Sequence, residues 1–256
     1  MSRLKNKVVL ISGASAGIGL AAAEAFAAEG CRLVLGARRL EKLHAVASAI
    51  SAAHPAEVKA VSLDVTEEQS CDAFVSEALQ AFGQVDVLVN NAGLARGTDT
   101  VMNQSSDDVR EMFETNVFGL LTLTRKVLKP MLAADSGHII NLGSVAGHLA
   151  YEGGSAYCAT KHSERVISEV LRLELLGKNI RVSSIDPGLV ETEFSTVRFR
   201  GDGEKAKNVY AGMTPLTAAD IAECIVFAAS RPPHVDIDTL VVRPLDQAGT
   251  KVFRRP

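Results

Sequence analysis

The stretch KVVLISGASAGIG, residues 7–19, decides the fold, because a short apolar run leads directly into a glycine-rich turn. The run Val8–Ile11 is typical of a buried strand, and the alanine-rich segment after Gly19 predicts a helix. Glycines let such a turn approach a pyrophosphate, which the free N–H groups of a helix N-terminus favour. Leu20-Ala21 stands where a Walker loop has Lys-Ser/Thr, so the turn predicts dinucleotide binding. The candidate residues of this phosphate loop are Gly13, Ser15, Ala16, Gly17, Ile18 and Gly19.

Strand-like and helix-like segments alternate outward from this stretch along almost the whole chain. Seven runs predict strands, at 7–13, 31–37, 58–64, 85–91, 137–144, 180–187 and 238–244. Longer segments predict helices at 17–30, 39–53, 67–82, 106–132, 155–177 and 217–230. Most of the strands lack alternation of apolar and polar residues, as expected when both faces are buried. The sequence therefore predicts an α/β fold of the Rossmann type, a doubly wound parallel sheet of about seven strands in one domain spanning 1–256.

The composition is close to electrically neutral. A formal net charge of −3 over 256 residues gives no reason to expect nucleic acid or an anionic membrane as a partner. No apolar stretch approaches the roughly 20 residues of a membrane span, and the apolar run near the N-terminus is too short for a secretory signal. The cysteines lie far apart, which argues against a metal site or disulfide framework and favours a reducing compartment. They are Cys31, Cys71, Cys158 and Cys224. We therefore expect a cytoplasmic protein.

The end of the second predicted strand indicates which dinucleotide binds. A carboxylate there hydrogen-bonds the ribose of NAD, but this chain has Gly36-Ala37-Arg38-Arg39, with no carboxylate before Glu41. Two guanidinium groups at this point suit the 2′-phosphate of NADP, which arginine binds through charge-assisted hydrogen bonds. The alternative is that both arginines are solvated charges at the start of a helix, where a cation is mildly unfavourable. We therefore expect NADP as the cofactor.

Tyr157 and Lys161 lie four residues apart in a predicted helix and therefore share one face. A phenol transfers protons poorly near neutral pH, but a nearby ammonium and the positive nicotinamide ring both stabilise its phenolate. By itself the spacing equally fits an ordinary amphipathic helix. Ser144 ends a predicted strand upstream, where its hydroxyl can hold a substrate oxygen beside the phenol.

Two rival interpretations of this region are weaker. Leu142 stands where the nucleophile elbow G-x-S-x-G of a hydrolase requires glycine. His148 is a lone loop histidine, so we discount it as a base and keep it as a candidate substrate contact. The irregular segment 189–216, downstream, is either a substrate-binding lid at the carboxyl edge of the sheet or a mobile surface excursion.

The order of these motifs resembles the short-chain dehydrogenase/reductase family over essentially the whole chain. The chain carries SGASAGIG at 12–19, Asp64-Val65, NNAG at 90–93, Asn116, Ser144, YCATK at 157–161 and Pro187-Gly188. The resemblance implies an oxidoreductase in which Tyr157 is the acid/base and Ser144 orients the substrate oxygen. It also implies that Lys161 binds the ribose and favours the phenolate, while Asn116 helps to hold a water in a proton relay. One departure is Ser12, where threonine is usual; the hydroxyl is kept.

The same resemblance implies further cofactor contacts and an assembly. Asp64 and Val65 meet the adenine, Asn91 and Gly93 lie by the cofactor, and Arg38 matches the members that prefer NADP. The implied contacts that flank the nicotinamide are Pro187, Gly188, Val190 and Thr192. A homotetramer is implied, with helices 106–132 and 155–177 as its interface. The tail Lys251–Pro256 is either frayed or reaches a neighbouring subunit.

The segment 186–202 resembles one group of the family, the NADP-dependent 3-hydroxy acid dehydrogenases, which oxidise serine, allo-threonine and related acids. DPGLVETEFS at 186–195, VRFRGD at 197–202 and HVDIDTL at 234–240 carry this resemblance. A 3-hydroxy acid substrate then implies that Arg198 or Arg200 binds its carboxylate; otherwise both are solvated loop charges. The alternatives are a broad-specificity NADPH carbonyl reductase for ketones or aldehydes, and a non-enzymatic NADP sensor.

Overall fold

The computed structural model describes residues 2–255, and its centre is a parallel sheet of seven strands. The strands are β1 (Val8–Ser12), β2 (Arg32–Ala37), β3 (Val58–Ser62), β4 (Val87–Asn90), β5 (Gly137–Leu142), β6 (Ile180–Pro187) and β7 (Thr239–Val242). Their order across the sheet is β3-β2-β1-β4-β5-β6-β7. The apolar run in β1 is buried throughout because helices cover both faces of the sheet. The predicted fold class is confirmed.

Helices pack on both faces of this sheet. In chain order, the α-helices of the described residues are α1 (Gly17–Ala28), α2 (Leu40–Ala53), α3 (Glu68–Phe82), α4 (Ser106–Phe113), α5 (Leu120–Ala134), α6 (Ser155–Glu174), α7 (Glu193–Arg198), α8 (Gly203–Asn208) and α9 (Ala218–Ala229). Val9 and Ile11 of β1 pack with α1, α2 and α9, whereas Val8 and Leu10 pack with α3, α5 and α6. This division follows from the two-residue period of a strand. Among the described residues, no helix is both long and apolar enough to cross a membrane.

The strand order reverses between β1 and β4, and this reversal positions the candidate site. Ile11 on β1 is in register with Leu35 on β2 and with Val89 on β4. A crevice forms beyond the carboxyl ends of parallel strands where the order reverses. Gly13 and Asn91, which follow β1 and β4, lie at that crevice.

Two segments are more elaborate than the sequence pattern indicated. The predicted helix 106–132 consists of α4, a π-helical segment Glu114–Gly119, and α5. The π-helical segment contains Asn116, and such segments are frequent at functional sites. The irregular segment 189–216 contains α7 and α8, whose first turns are capped by the side chains of Thr192 and Asp202.

Candidate active site

The phosphate loop after β1 is shaped by glycines that no other residue replaces without strain. Gly13 and Gly17 have φ angles of +66° and +56°, in the left-handed region. A Cβ added at Gly19 would lie only 2.5 Å from both the side-chain nitrogen of Asn91 and the Gly13 carbonyl oxygen, so a larger residue does not fit there. Ala16, the residue just before α1, has a side chain that makes no hydrogen bond to the first turn of the helix. The free N–H groups of this turn fit a pyrophosphate, so the loop suits a dinucleotide.

Asn91 fixes this loop against the end of β4. Its Nδ2 donates hydrogen bonds to the carbonyl oxygens of Ser12, at 2.9 Å, and Gly13, at 3.1 Å. The Ser12 hydroxyl in turn accepts from the backbone N–H groups of Asn91 and Ala92. Serine at position 12 therefore joins the two strand ends through its hydroxyl, which the expected threonine also carries.

One cavity of about 530 Å³ extends from the phosphate loop to the predicted catalytic residues. Among the predicted cofactor residues, Gly13, Ala16, Gly17, Ile18, Arg39, Asn91, Gly93, Pro187, Gly188, Val190 and Thr192 line it. The predicted catalytic residues Ser144, Tyr157 and Lys161 line it as well. The remaining predicted residues, Ser15, Gly19, Arg38, Asp64, Val65 and Asn116, lie outside its lining among the described residues. The structure thus brings most of the predicted set around one space.

Arg39 is the arginine that faces the cavity at the far end of the phosphate loop. Its Nη2 donates to the Ser15 hydroxyl at 3.1 Å and lies 3.1 Å from a carboxylate oxygen of Glu193. Arg38, which the family resemblance singled out, is exposed and is not among the described residues that line the cavity. Asp64, beyond β3, accepts hydrogen bonds from the backbone and hydroxyl of Thr66.

Ser144 and Tyr157 both line the cavity, from two different parts of the fold. Ser144 follows β5, and its Oγ accepts a hydrogen bond of 3.1 Å from the backbone of Ala146. Tyr157 lies in the first turn of α6, and its ring packs on that of Phe194, with 5.7 Å between their centroids. Phe194 belongs to α7, so the segment 189–216 forms one wall of the site.

Lys161 is buried and holds two strong contacts. Its Nζ donates hydrogen bonds to the Leu142 carbonyl oxygen at 2.6 Å and to a Glu164 carboxylate oxygen at 2.7 Å. Burial, the largest single influence, lowers the pKa of Lys161, but the charge and hydrogen bond of Glu164 together with the charges of Tyr157 and Asp186 outweigh it, and the pKa is raised. Burial raises the pKa of Glu164 to about 7. The sequence analysis did not single out Glu164.

Asn116 uses its whole side chain to join two parts of the wall. Its Oδ1 accepts from the Leu94 N–H at 2.9 Å, and its Nδ2 donates to the Leu94 carbonyl oxygen at 2.8 Å. The same nitrogen lies 3.1 Å from the Thr160 hydroxyl, on α6. Asn116 is therefore a buried brace between the segment after β4 and α6, and its part in a proton relay stays a prediction.

Arg198 lines the cavity beside Tyr157, the predicted acid/base. Its guanidinium carbon is 5.7 Å from the centroid of the Tyr157 ring, and its Nη2 donates to the Tyr151 hydroxyl at 3.0 Å. Arg200 instead pairs with Asp108 and is outside the cavity lining within the described chain. His148 likewise lies outside that lining and hydrogen-bonds the buried carboxylate of Asp186.

The C-terminal tail also contributes to the lining of the cavity. Gln247 and Phe253 form an antiparallel bridge, and Lys251 lies with its ammonium nitrogen 5.3 Å from the centre of the Tyr151 ring. The tail residues that line the cavity are Lys251, Phe253 and Arg255. The tail is therefore part of the site within this chain as far as Arg255, while Pro256 is outside the described residues.

Comparison with known proteins agrees with this geometry. The family model described as short chain dehydrogenase matches residues 7–202. A protein of Schizosaccharomyces pombe named NADP-dependent 3-hydroxy acid dehydrogenase is 43% identical, with 100% of this chain and 99% of that protein covered. Serine 3-dehydrogenase of Agrobacterium fabrum is 40% identical over 96% of this chain and 98% of its own length.

A solved structure shares the fold of this chain over nearly its whole length. The closed form of a serine dehydrogenase complexed with NADP+ superposes with a TM-score of 0.91 at 38% identity, covering 97% of this chain and all of that one. The family match, the full-length relatives and the shared architecture all agree with the motif order found in the sequence. The chain belongs to the short-chain dehydrogenase family.

Proposed function

We propose that this chain is an NADP-dependent oxidoreductase that moves a hydride between the cofactor and the hydroxyl-bearing carbon of a 3-hydroxy acid such as serine or allo-threonine. The position of Arg198 carries the proposal, because its guanidinium stands beside Tyr157 in the cavity that the phosphate loop also lines. A cation at this place suits a substrate with a carboxylate close to its reacting carbon. The relatives named for NADP, hydroxy acids and serine support the same choice.

In this proposal the cofactor lies along the cavity from Arg39 to Pro187. The N-terminus of α1 binds the pyrophosphate, and Arg39 with Ser15 binds the 2′-phosphate. The adenosine end meets Arg38, Asp64 and Val65, and the nicotinamide end meets Asn91, Gly93, Pro187, Gly188, Val190 and Thr192. When bound, the nicotinamide accepts or supplies the hydride.

Three side chains carry the proton chemistry. In the oxidative direction, the Ser144 hydroxyl hydrogen-bonds the substrate hydroxyl, and the phenolate oxygen of Tyr157 accepts its proton. In the reductive direction, the Tyr157 hydroxyl donates the proton to the carbonyl oxygen. The Lys161 ammonium, held at the Leu142 carbonyl, keeps positive charge near that phenol and favours the phenolate. Most of the rate enhancement then comes from positioning.

A second candidate, a reductase of bulkier ketones or aldehydes, is favoured by the aromatic lining of the cavity. The rings that line it include Tyr151, Phe194, Phe199, Tyr210 and Phe253. An NADP-linked absorbance assay over serine, 3-hydroxyisobutyrate and hydrophobic ketones separates the two. We expect turnover of the hydroxy acids, and its near-complete loss in Tyr157→Phe with NADPH binding retained. Preference for hydrophobic ketones favours the reductase, and full activity of Tyr157→Phe overturns both.

We also propose a homotetramer in a reducing cytoplasm, the compartment that the four separated cysteines favour. The outer face of α6 carries exposed Val166, Val170 and Leu173 at spacings of four and three residues, which lie on one side of a helix. Phe118, in the neighbouring π-helical segment, is also exposed. Exposed apolar side chains that are contiguous mark an interaction surface more often than a solvent-facing one.

A further inference from the structure

Glu164 is a buried carboxylate that the proposed chemistry leaves without a role. It lies on α6 three residues after Lys161, and its side chain is 2% exposed. Its Oε2 accepts the 2.7 Å hydrogen bond from Lys161 Nζ. Its Oε1 has no hydrogen-bond partner among the described residues. A carboxylate in this position is costly to bury, so its presence calls for a physical reason.

Stability is a poor reason for this pair. A buried ion pair with an unsatisfied oxygen contributes less than well-packed apolar side chains of similar volume. The charged groups that face Glu164 are Lys161 on its own helix and Asp186 on β6. Asp186 is itself hydrogen-bonded to His148 and to the Ser184 hydroxyl. Glu164 is therefore the carboxylate that directly balances the Lys161 ammonium, and Asp186 is engaged elsewhere.

We propose that Glu164 is a positioning residue that keeps Lys161 charged and directs its ammonium toward the Leu142 carbonyl, beside Tyr157. The inference rests on the proposed roles of Lys161 and Tyr157. An ammonium that is buried without a counter-charge loses its proton readily, and a neutral lysine no longer favours the phenolate. The loss of the Glu164 charge therefore acts on Tyr157 through Lys161.

This chain offers a direct readout that does not depend on turnover. It has no tryptophan and three tyrosines, so near-ultraviolet absorbance reports tyrosinate without interference. Burial raises the pKa of Tyr151 to about 12 and raises that of Tyr210 as well. Tyr157→Phe identifies the contribution of Tyr157 to the titration of the cofactor-free protein, and circular dichroism over the same pH range confirms that the fold persists.

We expect Glu164→Gln to move the midpoint of Tyr157 ionisation upward by about one pH unit. Glu164→Asp, which retains the charge, is expected to keep the midpoint close to that of the parent protein. Glu169→Gln is the matched control, because Glu169 lies on the same helix and pairs with Arg165 at the surface. If Glu164→Gln does not fold, Glu164→Met, which replaces the carboxylate by an apolar group of similar length, takes its place. An unchanged midpoint in the folded variant overturns the proposal.

Kinetics distinguish failure of this inference from failure of the proposed function. The pH profile of kcat for hydroxy acid oxidation is expected to shift upward in Glu164→Gln, with a KM for substrate that changes less than twofold. Loss of activity in Tyr157→Phe together with an unchanged pH profile in Glu164→Gln overturns the role of Glu164 alone. Retained activity in Tyr157→Phe overturns the proposed function itself.

Discussion

Arg39 and Glu193 form an ion pair, with 3.1 Å between Nη2 and Oε2, that links the start of α2 to the first residue of α7. Lys42 completes the arrangement, with its ammonium nitrogen 2.6 Å from the other carboxylate oxygen of Glu193. Arg39 also donates to the Ser15 hydroxyl on the phosphate loop. The carboxylate of Glu193 therefore lies between two cations, at the place where the 2′-phosphate of NADP is proposed to bind.

The first prediction concerns this carboxylate. Glu193→Gln removes a negative charge beside the proposed 2′-phosphate without shortening the side chain. We expect the Kd for NADPH to fall roughly two- to fivefold, the size of a partly exposed charge interaction, and the Kd for NADH to stay constant. Calorimetric titration measures both, with Glu204→Gln on the exposed start of α8 as the control. Weaker NADPH binding in Glu193→Gln would instead show that the ion pair holds α7 over the cofactor.

The second prediction separates the two adjacent arginines. Because Arg39 contacts Ser15 and lines the cavity, we expect Arg39→Ala to weaken NADPH binding about 10- to 100-fold, the size of lost charge-assisted hydrogen bonds. NADH binding is expected to change little. Arg38→Ala is the matched comparison, and its effect on NADPH is expected to be smaller. A larger effect at Arg38 would instead make Arg38 the main contact of the 2′-phosphate, as the family resemblance implies.

The sequence predicted the parts of the site that depend on backbone geometry near strand ends. The turn with Gly13 and Gly17 needs glycine for local reasons, and its place between β1 and α1 follows from hydrophobic patterning. The pair Tyr157 and Lys161 is local too, since a helix alone places them on one face. Such features can be inferred without knowing the tertiary contacts of the chain.

Tertiary contacts decided what the sequence could not. Whether Arg38 or Arg39 faces the cavity depends on how α2 packs, and the lining by Lys251 depends on the bridge that folds the tail back. Glu164 was missed because helical positions with charged residues are usually solvent-facing. Its spacing of three from Lys161 was the one available signal, since that spacing also places two residues on one face.

The third prediction tests substrate recognition by Arg198. Arg198→Met keeps much of the side-chain volume and removes the charge beside Tyr157. We expect the KM for a 3-hydroxy acid to rise by about 10- to 100-fold, as for a lost charge-assisted hydrogen bond. Steady-state kinetics on the acid and on its methyl ester provide the measurement. Arg200→Met is the control, since Arg200 pairs with Asp108 outside the cavity lining of the described chain. Equal effects on acid and ester would rule out a carboxylate contact.

The fourth prediction tests the proposed assembly. Val170→Glu combined with Leu173→Glu puts two charges on the exposed apolar face of α6, outside the cavity lining of the described chain. We expect the mass measured by light scattering to fall from that of a tetramer to that of a smaller species, because charges are strongly disfavoured in an apolar interface. Met102→Glu, on an exposed turn, is the control. An unchanged mass in the double variant would place the interface elsewhere.

The fifth prediction follows from His138, a buried residue of β5 that is 2% exposed. Its Nε2 lies 2.8 Å from the Ser183 hydroxyl, and burial, reinforced by the charge of Arg181, lowers the pKa of His138 well below 6.5. Below about pH 6.5, the unfolded chain therefore binds a proton at His138 that the folded chain excludes. Stability from this source is present above the unfolded pKa and is lost as the pH decreases.

We accordingly expect the free energy of unfolding to fall by up to about 1.4 kcal/mol per pH unit from this residue as the pH falls below about 6.5. His138→Gln removes the titrating group, so the decrease between about pH 7.5 and about pH 5.5 becomes smaller even though the variant is less stable overall. Urea unfolding at the two pH values gives the comparison. His44→Gln, on the exposed face of α2, should keep the slope of the parent protein. An equal slope in His138→Gln and the parent would mean that other groups cause the acid sensitivity.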